Sequence, residues 1–151
     1  IVSTHKYVKD VANGALLAED VENFRLVETE YVNGELTAKY LTDATKKAFL
    51  VAAVERRYLG ENLSEFFVGE GERGRIVYLT EGLIIDVSAY TATATIEAGQ
   101  KAHFDVATKK FLIHDGTHAD YASASAKFEV RSGEDNLDYT LGVPTVRLVV
   151  L

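Results

Sequence analysis

The stretch FRLVETEYVNGELTAKYL, residues 24–41, decides the fold class of this chain. Asn33-Gly34 divides it into two runs rich in β-branched and aromatic residues. Because Asn-Gly readily adopts the positive φ angles of a type I′ turn, the stretch predicts a β-hairpin. In the second run Leu36, Ala38 and Tyr40 alternate with polar residues, which predicts one buried and one solvent-facing side.

Outward from the hairpin, short runs of β-branched and aromatic residues continue, separated every eight to twelve residues by Gly, Asn or Asp. Residues 46–58 fit a helix or a strand, and a strand followed by a short helical or turn segment is favoured. The sequence predicts an all-β chain, folded as a compact β-barrel, a β-tulip-like domain or a sandwich. Further strands are predicted at residues 75–79, 83–88, 101–106, 111–114, 126–131 and 143–151.

Residues 1–20 show little alternation, which predicts an extended N-terminal arm before a β-rich domain at residues 21–151. Apolar side chains on such an arm need the surface of another subunit, whereas a frayed terminus is the alternative. The candidate contact residues are Val2, His5, Tyr7, Val8 and Val11.

Composition narrows the classes of partner. The formal net charge of −7 over 151 residues repels phosphate backbones and anionic lipid, so neither nucleic acid nor a membrane is expected as a partner. The longest apolar run spans only seven residues, 48–54, where a membrane helix needs about twenty. Cysteine is absent, which excludes disulfides and thiolate sites. We expect a soluble protein, and its first residues do not resemble a secretory signal.

The segment GEGERG, residues 69–74, matches the dinucleotide-binding fingerprint G-x-G-x-x-G. That fingerprint needs a following helix, whose N-terminus receives the pyrophosphate. Here a strand-like run follows, and Glu70 and Glu72 place negative charge where phosphate would lie. The segment is therefore interpreted as an acidic loop between strands.

The segment HDGTHAD, residues 114–120, holds two imidazoles and two carboxylates, which are possible ligands for zinc or another divalent ion. Such sites usually add a distant ligand, and His103 is the other histidine near this part of the chain. A polar turn leaving a strand is the favoured interpretation. No catalytic residue, metal ligand or cofactor is therefore assigned, and a non-enzymatic protein is expected; an enzyme that uses this cluster is the alternative.

From about residue 55 onwards the chain resembles the small auxiliary structural proteins of tailed bacteriophages that accompany the major capsid protein. The resemblance is one of layout, and none of the matching pieces is a catalytic signature. These pieces are ERRYLGE at 55–61, GERGRIVYL at 71–79, AGQKAHFD at 98–105 and GVPTVRLVVL at 142–151.

The resemblance implies a head decoration protein, also called a capsid cement protein. Such a protein is a compact β-domain, often a homotrimer, made in the host cytoplasm and bound to the outside of the mature capsid. There it would stabilise contacts between major capsid protein subunits. Another part of the virion, such as a tail or head-fibre base, or a host-surface binding module is the alternative.

Overall fold

The computed structural model describes residues 8–53, 66–132, 138–139 and 143–151. These residues form sixteen β-strands and one helix of five residues, which confirms the all-β prediction. In chain order the elements are β1 (Ala15–Leu17), β2 (Val21–Glu22), β3 (Leu26–Val32), β4 (Glu35–Tyr40), β5 (Phe49–Val51), β6 (Phe67–Val68), β7 (Arg73–Gly74), β8 (Ile76–Tyr78), β9 (Ile84–Val87), β10 (Tyr90–Ala92), β11 (Lys101–Asp105), β12 (Lys110–His114), α1 (Ala119–Ser123), β13 (Phe128–Ser132), β14 (Asp138–Tyr139), β15 (Val143–Pro144) and β16 (Val146–Val150).

Two six-stranded sheets form the body of the protein. The first sheet has the order β7-β1-β4-β3-β5-β8, and the second has the order β10-β12-β11-β13-β16-β9. Two small pairs, β2–β6 and β14–β15, stand beside them. Within the described ranges no strand pairing joins the two large sheets. The described residues therefore form a sandwich-like arrangement, which is one of the predicted alternatives, and no closed barrel.

The main core lies between the two sheets, because each sheet turns one apolar face towards the other. Leu26, Leu50 and Val77 contribute from the first sheet. The second sheet contributes a larger set of buried side chains, which includes Ile85, Phe104, Phe111, Ile113, Phe128, Val130 and Leu148. Alternation along each strand leaves the intervening residues on the outer face, and the candidate site is built there.

A second apolar cluster covers the opposite face of the first sheet. Phe49 and Val51 belong to this cluster, while Leu50 between them belongs to the main core. Because β5 is buried on both faces, its sequence is a continuous apolar run without alternation. The strand predicted within residues 46–58 is confirmed at Phe49–Val51, and the helical or turn segment predicted after it lies outside the described residues from 54 onwards.

The hairpin predicted at residues 24–41 is confirmed. β3 and β4 pair in antiparallel register from Val27 opposite Tyr40 to Val32 opposite Glu35. The two residues between the strands, Asn33 and Gly34, have φ angles of 51° and 82°. Both angles lie in the left-handed region, as a type I′ turn requires.

The acidic loop predicted at residues 69–74 is confirmed for residues 69–72, whereas Arg73 and Gly74 form strand β7. Strand β7 ends at Gly74 and strand β8 begins two residues later, so no helix follows the glycines. Gly74 itself packs closely, because a Cβ there would lie 2.6 Å from Leu17 Cδ2. Likewise, a Cβ on Gly14 would collide with the carbonyl oxygen of Gly74. These glycines allow the N-terminal segment to approach the loop.

The segment from residue 8 to residue 17 is hydrogen-bonded into the first sheet. Val11 N–H donates to the carbonyl of Ile76 at 3.0 Å, and Tyr78 N–H donates to the carbonyl of Lys9 at 2.9 Å. Strand β1 then lies between β4 and β7. The fold therefore begins well before the predicted arm boundary at residue 20. Residues 1–7 lie outside the described part of the chain.

The short helix α1 was not predicted from the sequence. Its N-cap is His118, whose side chain accepts a hydrogen bond from the backbone N–H of Asp120.

Among the described elements, no helix combines the length and the apolar character needed to cross a bilayer.

Candidate functional site

Three histidines meet on the outer face of the second sheet. His103 lies in β11 and is 2% exposed, and His114 ends β12 and is 3% exposed. In the antiparallel register His103 lies opposite Leu112, and Lys101 lies opposite His114. His103 and His114 are thus diagonal neighbours on one face, opposite in phase to the core residues Phe104 and Ile113.

The third histidine is delivered by the turn that follows β12. The Asp115 carboxylate accepts hydrogen bonds from the Thr117 backbone N–H at 2.9 Å and from its hydroxyl at 2.6 Å. Gly116 has a φ of 101°, which reverses the chain direction at little cost. This turn brings His118 and α1 back over β11.

The three histidine rings and the Asp120 carboxylate lie close together. We call this group the histidine cluster: His103, His114, His118 and Asp120. His103 Nδ1 lies 3.0 Å from His114 Nε2. The His118 ring centroid lies 4.9 Å from that of His103 and 5.5 Å from that of His114. One ligand atom each from His103, His118 and Asp120 lies within 4.8 Å of the other two.

Hydrogen bonds fix the tautomers of the two buried rings. The Gly116 backbone N–H donates to His114 Nδ1 at 2.9 Å, so in the neutral ring Nε2 carries the hydrogen and donates to His103 Nδ1. Burial lowers the pKa of His103 below its usual range, with a further lowering from the neighbouring His118. Burial likewise lowers the pKa of His114, followed by the effect of His103. Both rings are therefore neutral at neutral pH.

The structure separates the carboxylates that the sequence groups together at 114–120. Asp115 is engaged in the turn with Thr117, whereas Asp120 lies beside His118 and His103. His103 was expected from the sequence to be a possible distant ligand, but it was assigned no role. Its phase, opposite to that of the apolar residues of β11, was the signal that places it on the same face as His114.

A second notable feature is the end of the β3–β4 hairpin. All residues from 30 to 35 are exposed, and we call this segment the hairpin tip. Tyr31 is 77% exposed and Val32 is also exposed. Tyr31 lies opposite Leu36 on the face that, further along the hairpin, is buried in the second apolar cluster through Val27 and Ala38. The apolar face thus continues outward beyond the body of the protein.

The predicted contact residues fall into two groups. Val2, His5 and Tyr7 lie outside the described residues. Val8 is partly buried against the main core, and Val11 is partly buried against the second apolar cluster. These two valines therefore pack on their own chain, and their contact with another subunit stays a prediction.

Comparison with known proteins identifies the origin of the chain. The family model described as YonC prophage protein matches residues 1–151. The SPbeta prophage-derived uncharacterized protein YonC of Bacillus subtilis strain 168 is 47% identical over 152 residues, which cover 95% of this chain and 85% of that relative. The phage origin expected from the resemblance is thereby confirmed. This chain belongs to the YonC prophage protein family.

Proposed function

We propose that this protein is a structural component of the phage particle that binds the outside of the mature capsid and stabilises contacts between major capsid protein subunits. Membership of a prophage family and the two-sheet β-fold are compatible with this role. In the proposal, the protein is made in the host cytoplasm, assembles as a homotrimer and needs no cofactor.

The observation that carries the proposal is the hairpin tip. Tyr31 is 77% exposed and lies on a face that elsewhere forms core. Covering its ring with the surface of another protein removes apolar area from water and therefore stabilises the complex. Tyrosine is also enriched among the residues that contribute most to protein–protein binding, because its ring buries much area at low entropic cost. The type I′ turn holds the two strands in fixed register, so the tip presents Tyr31 in a defined position.

Capsid stabilisation follows from mass action. A protein that binds only the mature lattice lowers the free energy of that state, and a protein that touches two subunits opposes their separation. The formal net charge of −7 suits a surface that faces solvent better than one that faces DNA. The N-terminal residues Val2, His5 and Tyr7 remain candidates for a second contact in the proposal.

Cosedimentation with mature capsids that lack the protein tests this proposal. We expect the wild-type protein to bind at a saturating, fixed ratio to major capsid protein and to raise the melting temperature of the shell. Tyr31→Glu places a charge in the contact and should weaken binding by roughly tenfold or more, the loss typical of an interface anchor.

Leu151→Glu is the matched control, because it adds the same charge at another exposed apolar side chain, at the end of the second sheet. This variant should bind like the wild type. Absence of wild-type binding to capsids would contradict the decoration role and would favour a tail, head-fibre or host-surface role instead.

A further inference from the structure

We propose that the histidine cluster binds one divalent transition-metal ion of the zinc class, with a ring nitrogen of His103, a ring nitrogen of His118 and a carboxylate oxygen of Asp120 as the protein ligands. This proposal concerns the outer face of the second sheet and does not depend on capsid binding.

The three ligand atoms are close enough to bind one ion after a small movement. The three ligand atoms lie within 4.8 Å of one another, and His118 Nδ1 lies 4.0 Å from Asp120 Oδ2. With metal–nitrogen and metal–oxygen bonds of about 2.0–2.2 Å, two ligands of a tetrahedral ion lie about 3.3 Å apart. The atoms must therefore move together by roughly an ångström. His118 and Asp120 have room for this movement, because their side chains are 34% and 75% exposed.

The chemical types of the three ligands suit a zinc-class ion. Two imidazole nitrogens and one carboxylate oxygen form a ligand set used by zinc, and three protein ligands leave one position open for water. Imidazole binds a metal through a ring nitrogen that carries no hydrogen. An ion at His103 Nε2 therefore moves the hydrogen of that ring to Nδ1, which then donates to His114 Nε2.

The His103 ring is held on its buried side by His114 and lines a solvent-accessible groove on its other side. His114 contacts His103 at 3.0 Å from the buried side, so the His103 ring has a fixed orientation. In the ion-bound form the hydrogen of the His114 ring lies on Nδ1, and the hydrogen bond from Gly116 N–H is lost. On the solvent side, His103 and Asp120 line an open groove of about 340 Å³. Asp43 and Asp105 line the same groove, and their carboxylates attract a cation.

The consequence of binding is local. Asp120 and His118 belong to α1 and its N-cap, whereas His103 belongs to β11. The ion therefore joins a helix of one turn to the second sheet. An ion at His118 Nδ1 replaces the hydrogen bond from the Asp120 backbone N–H, whereas an ion at Nε2 replaces the ring hydrogen. In either case the electronic environment of the ring changes.

Calorimetric titration with zinc chloride tests the proposal, using full-length protein without a polyhistidine tag after chelator treatment and removal of the chelator. We expect saturation at one ion per chain. Asp120→Asn and His118→Asn should each weaken binding by at least the roughly 10–100-fold that loss of an outer-shell partner costs. Asparagine retains an oxygen that can cap α1, so His118→Asn removes the ligand and keeps the helix N-cap.

His5→Ala is the matched control, because His5 is the remaining histidine of the chain. It should bind zinc with wild-type affinity, and zinc should shift the ring resonances of the three clustered histidines but not those of His5. No saturable wild-type binding would overturn the proposal. So would equal affinity in the Asp120→Asn and His118→Asn variants, or loss of binding in His5→Ala.

Discussion

Phe128→Ala is expected to destabilise the protein by about 3–5 kcal/mol, the range for truncating a large aromatic side chain in a well-packed core. Phe128 is fully buried between the two sheets. Its ring meets that of Phe111 edge-on, with centroids 5.2 Å apart, and Phe111 in turn meets Phe104. Truncation removes the apolar contact area and the aromatic contact together, and it leaves a cavity at the centre of the sandwich.

Urea denaturation of the variant measures this loss as a shift of the unfolding midpoint. Phe67→Ala is the matched control, because Phe67 is 49% exposed in the small β2–β6 pair. The same substitution there should cost less than about 1 kcal/mol. If the two variants were equally stable, the main core would not lie where the structure places it.

Asp86→Asn is the second substitution with a large expected effect, at about 3 kcal/mol. Asp86 is fully buried on the outer face of the second sheet, directly opposite Arg147 on the neighbouring strand. The guanidinium donates two hydrogen bonds, Nε to Oδ1 at 2.8 Å and Nη2 to Oδ2 at 3.1 Å. Asparagine keeps the size but removes the negative charge and one acceptor. The expected cost is at the lower end of the range for buried pairs, because the Arg147 side chain is 29% exposed.

Asp10→Asn is a close control for this pair. Arg75 Nε lies 2.8 Å from Asp10 Oδ1, the same distance as in the buried pair, but the Asp10 side chain is 52% exposed. Solvent screening reduces the contribution of such a pair to at most about 1 kcal/mol. Thermal unfolding of both variants at matched ionic strength compares them. Equal destabilisation by the two substitutions would show that burial does not strengthen the Asp86–Arg147 pair.

Local sequence chemistry predicted the elements whose structure is determined locally. The β3–β4 hairpin follows from Asn33-Gly34, whose positive φ angles are a property of two neighbouring residues. The strands of the second sheet other than β10 follow from short runs of β-branched and aromatic residues bounded by turn residues. Strand β5 was harder to assign, since burial on both faces removes the alternation that distinguishes a strand from a helix.

The elements that were missed depend on distant partners. Strand β1 has three residues and pairs with β4 and β7, which lie far along the chain, so no local pattern marks it. The same holds for the two-residue strands β2, β6 and β7. The helix α1 has no buried residue, and its N-cap is His118, although histidine is not among the preferred N-cap residues.

The histidine cluster was only half predictable. Two histidines and two aspartates, which are possible metal ligands, lie close together in the sequence at 114–120. The position of His103 depends on the register of β11 against β12, which places it opposite Leu112 and therefore diagonal to His114. The hairpin tip was also only partly predictable. The turn at its end was predicted, but the exposure of Tyr31 was not, because it depends on how far the packed part of the protein extends along the hairpin.

The copy number of this protein in phage particles purified from an induced lysogen tests the central proposal most directly, and quantitative mass spectrometry measures it. A structural protein on the capsid exterior should be present at a fixed ratio to the major capsid protein, both in complete particles and in heads without tails. Abundance in the lysate with absence from purified particles, or presence only in tail fractions, would contradict the account.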